Sequence, residues 1–146
     1  MRRTMLLAVI VLGLLGSASA GTAQSKSERK EIRWKGSVFR SNCQGKGKFS
    51  FILYNDSKYR EEWEVNCLGY WVRGHARGAY KLVGSDFSYE ASGYARLLDG
   101  RSSSWLTVKG SGKILGTKGS GTYRILYDDE KWPSERSGTW EVEKVE

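Results

Sequence analysis

Residues 70 to 77 read Tyr-Trp-Val-Arg-Gly-His-Ala-Arg, a run that interleaves flat rings with cations. Rings with a polar edge stack on sugar faces or anchor protein contacts. Guanidinium groups pair with carboxylates, sulfates or phosphates. Adjacent residues on a strand point to opposite faces, so one of Tyr70 and Trp71 must face outward or lie on a rim. Tyr70, Trp71, Arg73, His75 and Arg77 therefore form the candidate ligand-binding edge.

Chemistry beyond binding finds less support. His75 is the only histidine, and a zinc site needs several ligands converging on one point. With both cysteines committed to a disulfide, such a site would rest on carboxylates, and no metal or other cofactor is expected. No Gly-x-Ser-x-Gly elbow frames a serine nucleophile for His75 to activate. Glycoside hydrolysis needs two carboxylates across a groove, and Glu61 is the one to name. It falls on an apolar face between Tyr59 and Trp63, where burial raises a carboxyl pKa. The same position suits a barrel mouth or an arginine partner equally well. Asp128, Asp129 and Glu130 read as a solvated loop. The glycine- and lysine-rich passage from 109 to 121 is not a nucleotide loop. A phosphate-binding loop needs glycine where Thr107 stands and serine or threonine where Ile114 stands. It reads as a flexible cationic hairpin whose lysines can reach anions. No catalytic residue is assigned.

Positioning these groups falls to strands. The best-specified element runs from Cys43 to Cys67, where period-two alternation flanks an Asn-Asp-Ser cluster. Phe49, Phe51 and Leu53 share one face of its first strand, and Tyr59, Trp63 and Val65 one face of its second. Both sets reach the same side of the sheet only if Leu53 pairs with Tyr59 and Phe49 with Trp63. That register sets Cys67 opposite Gly45 and leaves Cys43 one diagonal step away. A Cys43–Cys67 disulfide is expected, with a bulge or irregular turn around Gly45.

The remaining chain continues as strands with no helical repeat. A first strand is expected around Ile32, Trp34 and Val38, followed by the hairpin. Short strands are expected over 70 to 74 and 78 to 83, then a long one from Phe87 to Leu97 with a bend or bulge at Gly93. Residues 104 to 109, 113 to 115, 121 to 127 and 139 to 145 complete the set. Glycine followed by an aromatic recurs at Gly47, Gly78, Gly93, Gly121 and Gly138, suggesting strand openings out of tight turns. Hairpin-short connections favour an all-β, antiparallel up-and-down barrel of about eight strands, with a β-sandwich as the alternative. Trp34, Trp63 and Trp140 fall on the inward phase, and so bulky an inward set favours a filled core.

The first twenty residues have the pattern of a cleaved signal peptide: Arg2 and Arg3, an apolar run from Met5 to Leu15, then Ala18-Ser19-Ala20. Residues 21 to 30 read as a mobile tail and 31 to 146 as one domain. No later stretch is long and apolar enough to span a membrane. Localisation is expected to be secreted or periplasmic, where a lone cysteine pair becomes a disulfide. The formal net charge is +8, or +6 once the leader takes away two arginines and no acid. A basic exported domain meets an acidic or cell-wall glycan, or an exported protein. Asn55-Asp56-Ser57 is a glycosylation sequon at a hairpin tip.

Ser92-Gly93-Tyr94-Ala95-Arg96, with Asp99-Gly100, Trp105 and Lys109-Gly110 beyond it, resembles the Ser-Gly-Ala-Arg-Tyr signature region of exported bacterial inhibitors of C-type lysozyme. The resemblance covers about twenty residues, needs shifts of one or two positions to align, and departs from the family in cysteine placement. It implies a small barrel with one disulfide that inserts a loop into the lysozyme cleft, with Ser92 and Lys109 as the residues to test. The function expected is a non-catalytic binding protein for carbohydrate or another anionic polymer. The alternative is a protein-binding module such as a lysozyme-type inhibitor or immunity factor.

Overall fold

Buried and exposed side chains alternate along eight strands, and every strand is antiparallel to its neighbours in sequence. They are β1 (Glu31–Arg40), β2 (Lys46–Tyr54), β3 (Lys58–Cys67), β4 (Tyr70–Val83), β5 (Asp86–Leu97), β6 (Ser103–Leu115), β7 (Lys118–Tyr127) and β8 (Glu135–Lys144). The computed structural model describes residues 28–40 and 43–146, so the expected leader and most of the expected tail lie outside the described residues. β1 pairs with β8 from Trp34↔Lys144 to Arg40↔Gly138, which closes the barrel and excludes the sandwich. Among the described residues, no helix is long and apolar enough to cross a membrane.

The interior is packed with rings. Phe51 stacks on Phe87 with centroids 5.5 Å apart, and Trp140 meets both edge-on at 5.9 and 5.8 Å. Trp34, Trp63 and Trp140 are all buried. The expected hairpin register holds, with Phe49 opposite Trp63 and Leu53 opposite Tyr59.

Glycine was the misleading signal. Residues 70 to 74 and 78 to 83 belong to one continuous strand, β4, and 104 to 109 and 113 to 115 to another, β6. Gly93 carries no bulge, since pairing stays one-to-one on both sides of it. Its role is steric: a Cβ there would lie 1.8 Å from the carbonyl oxygen of His75. Gly78 makes the same kind of approach to Glu90. These glycines are strand-interior points where a small barrel bends its wall against the neighbouring backbone, not strand openings.

Cys43 and Cys67 form the disulfide, with Cα atoms 4.0 Å apart. Cys43 itself, not Gly45, stands opposite Cys67. The adjustment expected around Gly45 is present, with Gly45 at φ 65° and the Gln44 N–H donating to the Asn66 carbonyl at 2.8 Å. Reduction should destabilise the barrel by about 3 kcal/mol, because the link closes a loop of moderate length in the unfolded chain. Urea midpoints measured with and without reductant test this, and coincident curves would show that the hairpin holds its register without the bond.

The two ends of the barrel differ. At one end the links are short: residues 55–57, 84–85 and 116–117. The other end, the mouth, carries 43–45, 68–69, 98–102 and 128–134. The 128–134 loop folds back over the mouth, where Trp132 Nε1 donates to Ser102 Oγ at 2.8 Å and its ring packs on Tyr127 at 5.0 Å.

Candidate functional site

The outward phase of β4 presents Trp71, Arg73, His75 and Arg77, alternating with Val72, Gly74 and Ala76 on the buried phase. These four expected site residues therefore share one face of the outer wall. Tyr70, the fifth, separates from them: it is 56% exposed at the mouth, among Leu97, Trp132 and the disulfide. The expected edge is thus two places, a wall and a rim, because Tyr70 and Trp71 point in opposite directions.

Lateral pairing extends the wall beyond what a single strand reveals. His75 stands opposite Tyr94 on β5, and Tyr94 opposite Trp105 on β6. The ring centroids are 5.9 Å apart for the first pair and 5.6 Å for the second. A row of three rings thus crosses three strands and ends on Trp105, which is 67% exposed. Tyr94, Arg96 and Trp105 were not singled out for the site from sequence. A signal existed for Trp105, which sits on the opposite phase to Leu106 and Val108.

Cations flank this row. Toward the mouth, Arg73 pairs across to Arg96, and on the other side Arg77 faces Ser92. Arg73 is already engaged, its Nε and Nη2 donating to Glu64 Oε2 at 3.1 and 2.7 Å. Arg77 and Arg96 form no ion pair among the described residues. The cationic hairpin is a weaker candidate. Lys109 pairs with Glu90 at 3.6 Å, Lys118 with Glu143 at 3.8 Å, and Lys113 with Asp86. Such exposed pairs add little stability, but they neutralise the lysines that an anion would have sought.

Inside the barrel lies a polar chain. Glu61 is 2% exposed, and the Tyr59 hydroxyl donates to its Oε2 at 2.6 Å. Burial pushes the Glu61 pKa up to about 7, against the Tyr59 hydrogen bond and the field of Arg40, which both pull it down. Tyr59 stacks on Tyr89 at 4.4 Å, and burial raises both phenols well above their ordinary value. Glu61 faces this core and not an open groove, and no second buried carboxylate stands across from it among the described residues. No group of three or more metal-ligating side chains occurs among the described residues.

Arg40 is the other buried charge, 3% exposed at the mouth end of β1. Its Nε donates to Tyr123 Oη at 2.7 Å and its Nη1 to Tyr127 Oη at 3.1 Å, while Cζ lies 4.3 Å from the Trp63 ring centroid. Burial alone would weaken its charge, but Tyr127 and Tyr123 more than offset this and hold its pKa above the ordinary arginine value. Sequence reading missed Arg40, although its even number put it in phase with Trp34 and Val38. Ser92 and Lys109 both project from the outer wall of β5 and β6, not from a loop. No protein-family model matches this chain, and searches of curated proteins and of solved structures found no significant match.

Proposed function

We propose that this protein is a non-catalytic binding protein that takes an acidic or cell-wall glycan on the outer wall of β4, β5 and β6. The supporting observation is the row His75, Tyr94 and Trp105, flanked by Arg77 and Arg96. An exposed aromatic row offers sugar rings an apolar face, and unpaired arginines on either side suit the acidic groups of a polymer lying along it. A core-facing role explains neither the exposure of Trp105 nor its alignment with Tyr94. The Cys43–Cys67 bond is compatible with export, and the reading is of a protein secreted or held in the periplasm.

Titration with polygalacturonate, beside an uncharged polysaccharide at two salt concentrations, tests this. Trp105→Ala should weaken binding about tenfold or more, as loss of a stacking anchor does. Arg77→Gln with Arg96→Gln should flatten the salt dependence. Unchanged affinity in Trp105→Ala would overturn the assignment. A second reading, a protein-binding module such as a lysozyme-type inhibitor or immunity factor, draws on one observation: Ser92 and Lys109 lie on this same wall. It expects a stoichiometric complex with lysozyme or another exported protein on a sizing column, weakened by Ser92→Trp.

A further inference from the structure

The mouth holds a pocket separate from the outer wall. Its volume of about 410 Å³ lies within the size range of small-molecule sites. Tyr70, Val72, Leu97, Trp132 and Pro133 give it apolar walls. Its charged lining is of one sign, Arg40 with Lys131 and Arg136, and no acidic residue contributes. Buried cations are ordinarily paired, because an unpaired charge loses hydration without compensation. Arg40 departs from this: among the described residues its Nη2 has no hydrogen-bond partner and no carboxylate forms an ion pair with it. Glu61, the other buried charge, takes its hydrogen bond from Tyr59 instead.

A buried, charged donor without an acceptor calls for a ligand group that only accepts hydrogen bonds. A carboxylate has two such oxygens and matches a guanidinium geometrically. The apolar walls call for a hydrocarbon body attached to it. We propose that the mouth of the barrel binds a small free monocarboxylic acid, its carboxylate held by Arg40 at the floor and its apolar body between Tyr70, Leu97 and Trp132. Tyr123 and Tyr127 are positioning residues: their hydroxyls occupy Nε and Nη1 and leave Nη2 for the ligand.

The test is calorimetric titration of the whole mature protein with three probes: octanoate, octanol and acetate. Octanoate should bind at least about tenfold more tightly than octanol, the gain of one charge-assisted pair, and acetate should give no measurable heat. Arg40→Met should lose that preference while keeping the octanol affinity, and Trp105→Ala should bind octanoate as the unaltered protein does. Equal affinity for octanoate and octanol, or no octanoate binding, would overturn the proposal. That comparison needs no variant, so it stands even where Arg40→Met fails to fold. Loss of octanoate binding in Trp105→Ala would overturn the placement at the mouth. Failure of the glycan titration leaves this result untouched, since the two sites share no residue.

Discussion

Trp140→Ala should cost about 3–5 kcal/mol, the range for removing a large buried aromatic, and leave the barrel marginal at room temperature. Trp140 is 1% exposed, meets Phe51 and Phe87 edge-on, and donates its Nε1 to the Thr122 carbonyl at 3.2 Å. Its ring also fills the space above Gly121, where a Cβ would lie 2.5 Å from it. Neighbours cannot collapse into the gap easily, because the wall at that point is backbone held by β7 and β8 pairing. Urea denaturation read by far-ultraviolet circular dichroism measures the loss. Trp105→Ala provides the contrast: on the exposed wall it should shift stability by no more than about 0.5 kcal/mol. A loss under about 1 kcal/mol at Trp140 would mean that the ring cluster repacks.

The second large effect is a dependence of stability on pH set by Glu61. Its folded pKa of about 7 stands above the ordinary 4.5, so between these values the folded protein holds a proton that the unfolded chain has released. Stability from this group is therefore fully present below pH 4.5 and is lost as the pH rises through 7. The full span is worth about 3 kcal/mol at 1.36 kcal/mol per pH unit. Glu61→Gln should match the unaltered protein in acid and exceed it by about that amount above neutrality. Urea midpoints at intervals from pH 4 to 8 would show the curves diverging. Parallel curves would mean that the carboxylate stays ionised in the core, held by Tyr59 and the field of Arg40.

The sequence made the β2–β3 hairpin legible because its face is redundant: Phe49, Phe51 and Leu53 against Tyr59, Trp63 and Val65 admit a single register. The disulfide followed from that register and from the cysteine count, with Gly45 absorbing the slip. Glycine misled for a physical reason. In an open strand it marks a break, but in a tightly bent barrel it marks where one strand's backbone presses on the next, and only closure tells these apart. β4 and β6 were split on that account. Half of the outer wall was legible, since Trp71, Arg73, His75 and Arg77 lie on one strand and need only period two to be grouped. Tyr94, Trp105 and Arg96 join them across strands, which requires strand order and register together. Arg40 was the hardest to see. A charge at a strand end reads as solvated, and its partners Tyr123 and Tyr127 are 83 and 87 residues away.

Closure between β1 and β8 bears on how the molecule comes together. Seven of the eight strand pairings join neighbours along the chain, so each can zip from its own connecting link with little loop entropy. The eighth unites the two ends of the domain and can form only after the others have curled the sheet into position. Until then β1 and β8 are both bare edges, and Arg40 lacks the tyrosines that β7 brings to it. Completing the seam removes the last template for edge-to-edge aggregation. Because Trp34 and Lys144 are partners across that seam, the two ends of the barrel domain lie side by side. A short linker joining them, with the chain reopened at the tight turn after Val83, would convert the slowest pairing into a local one.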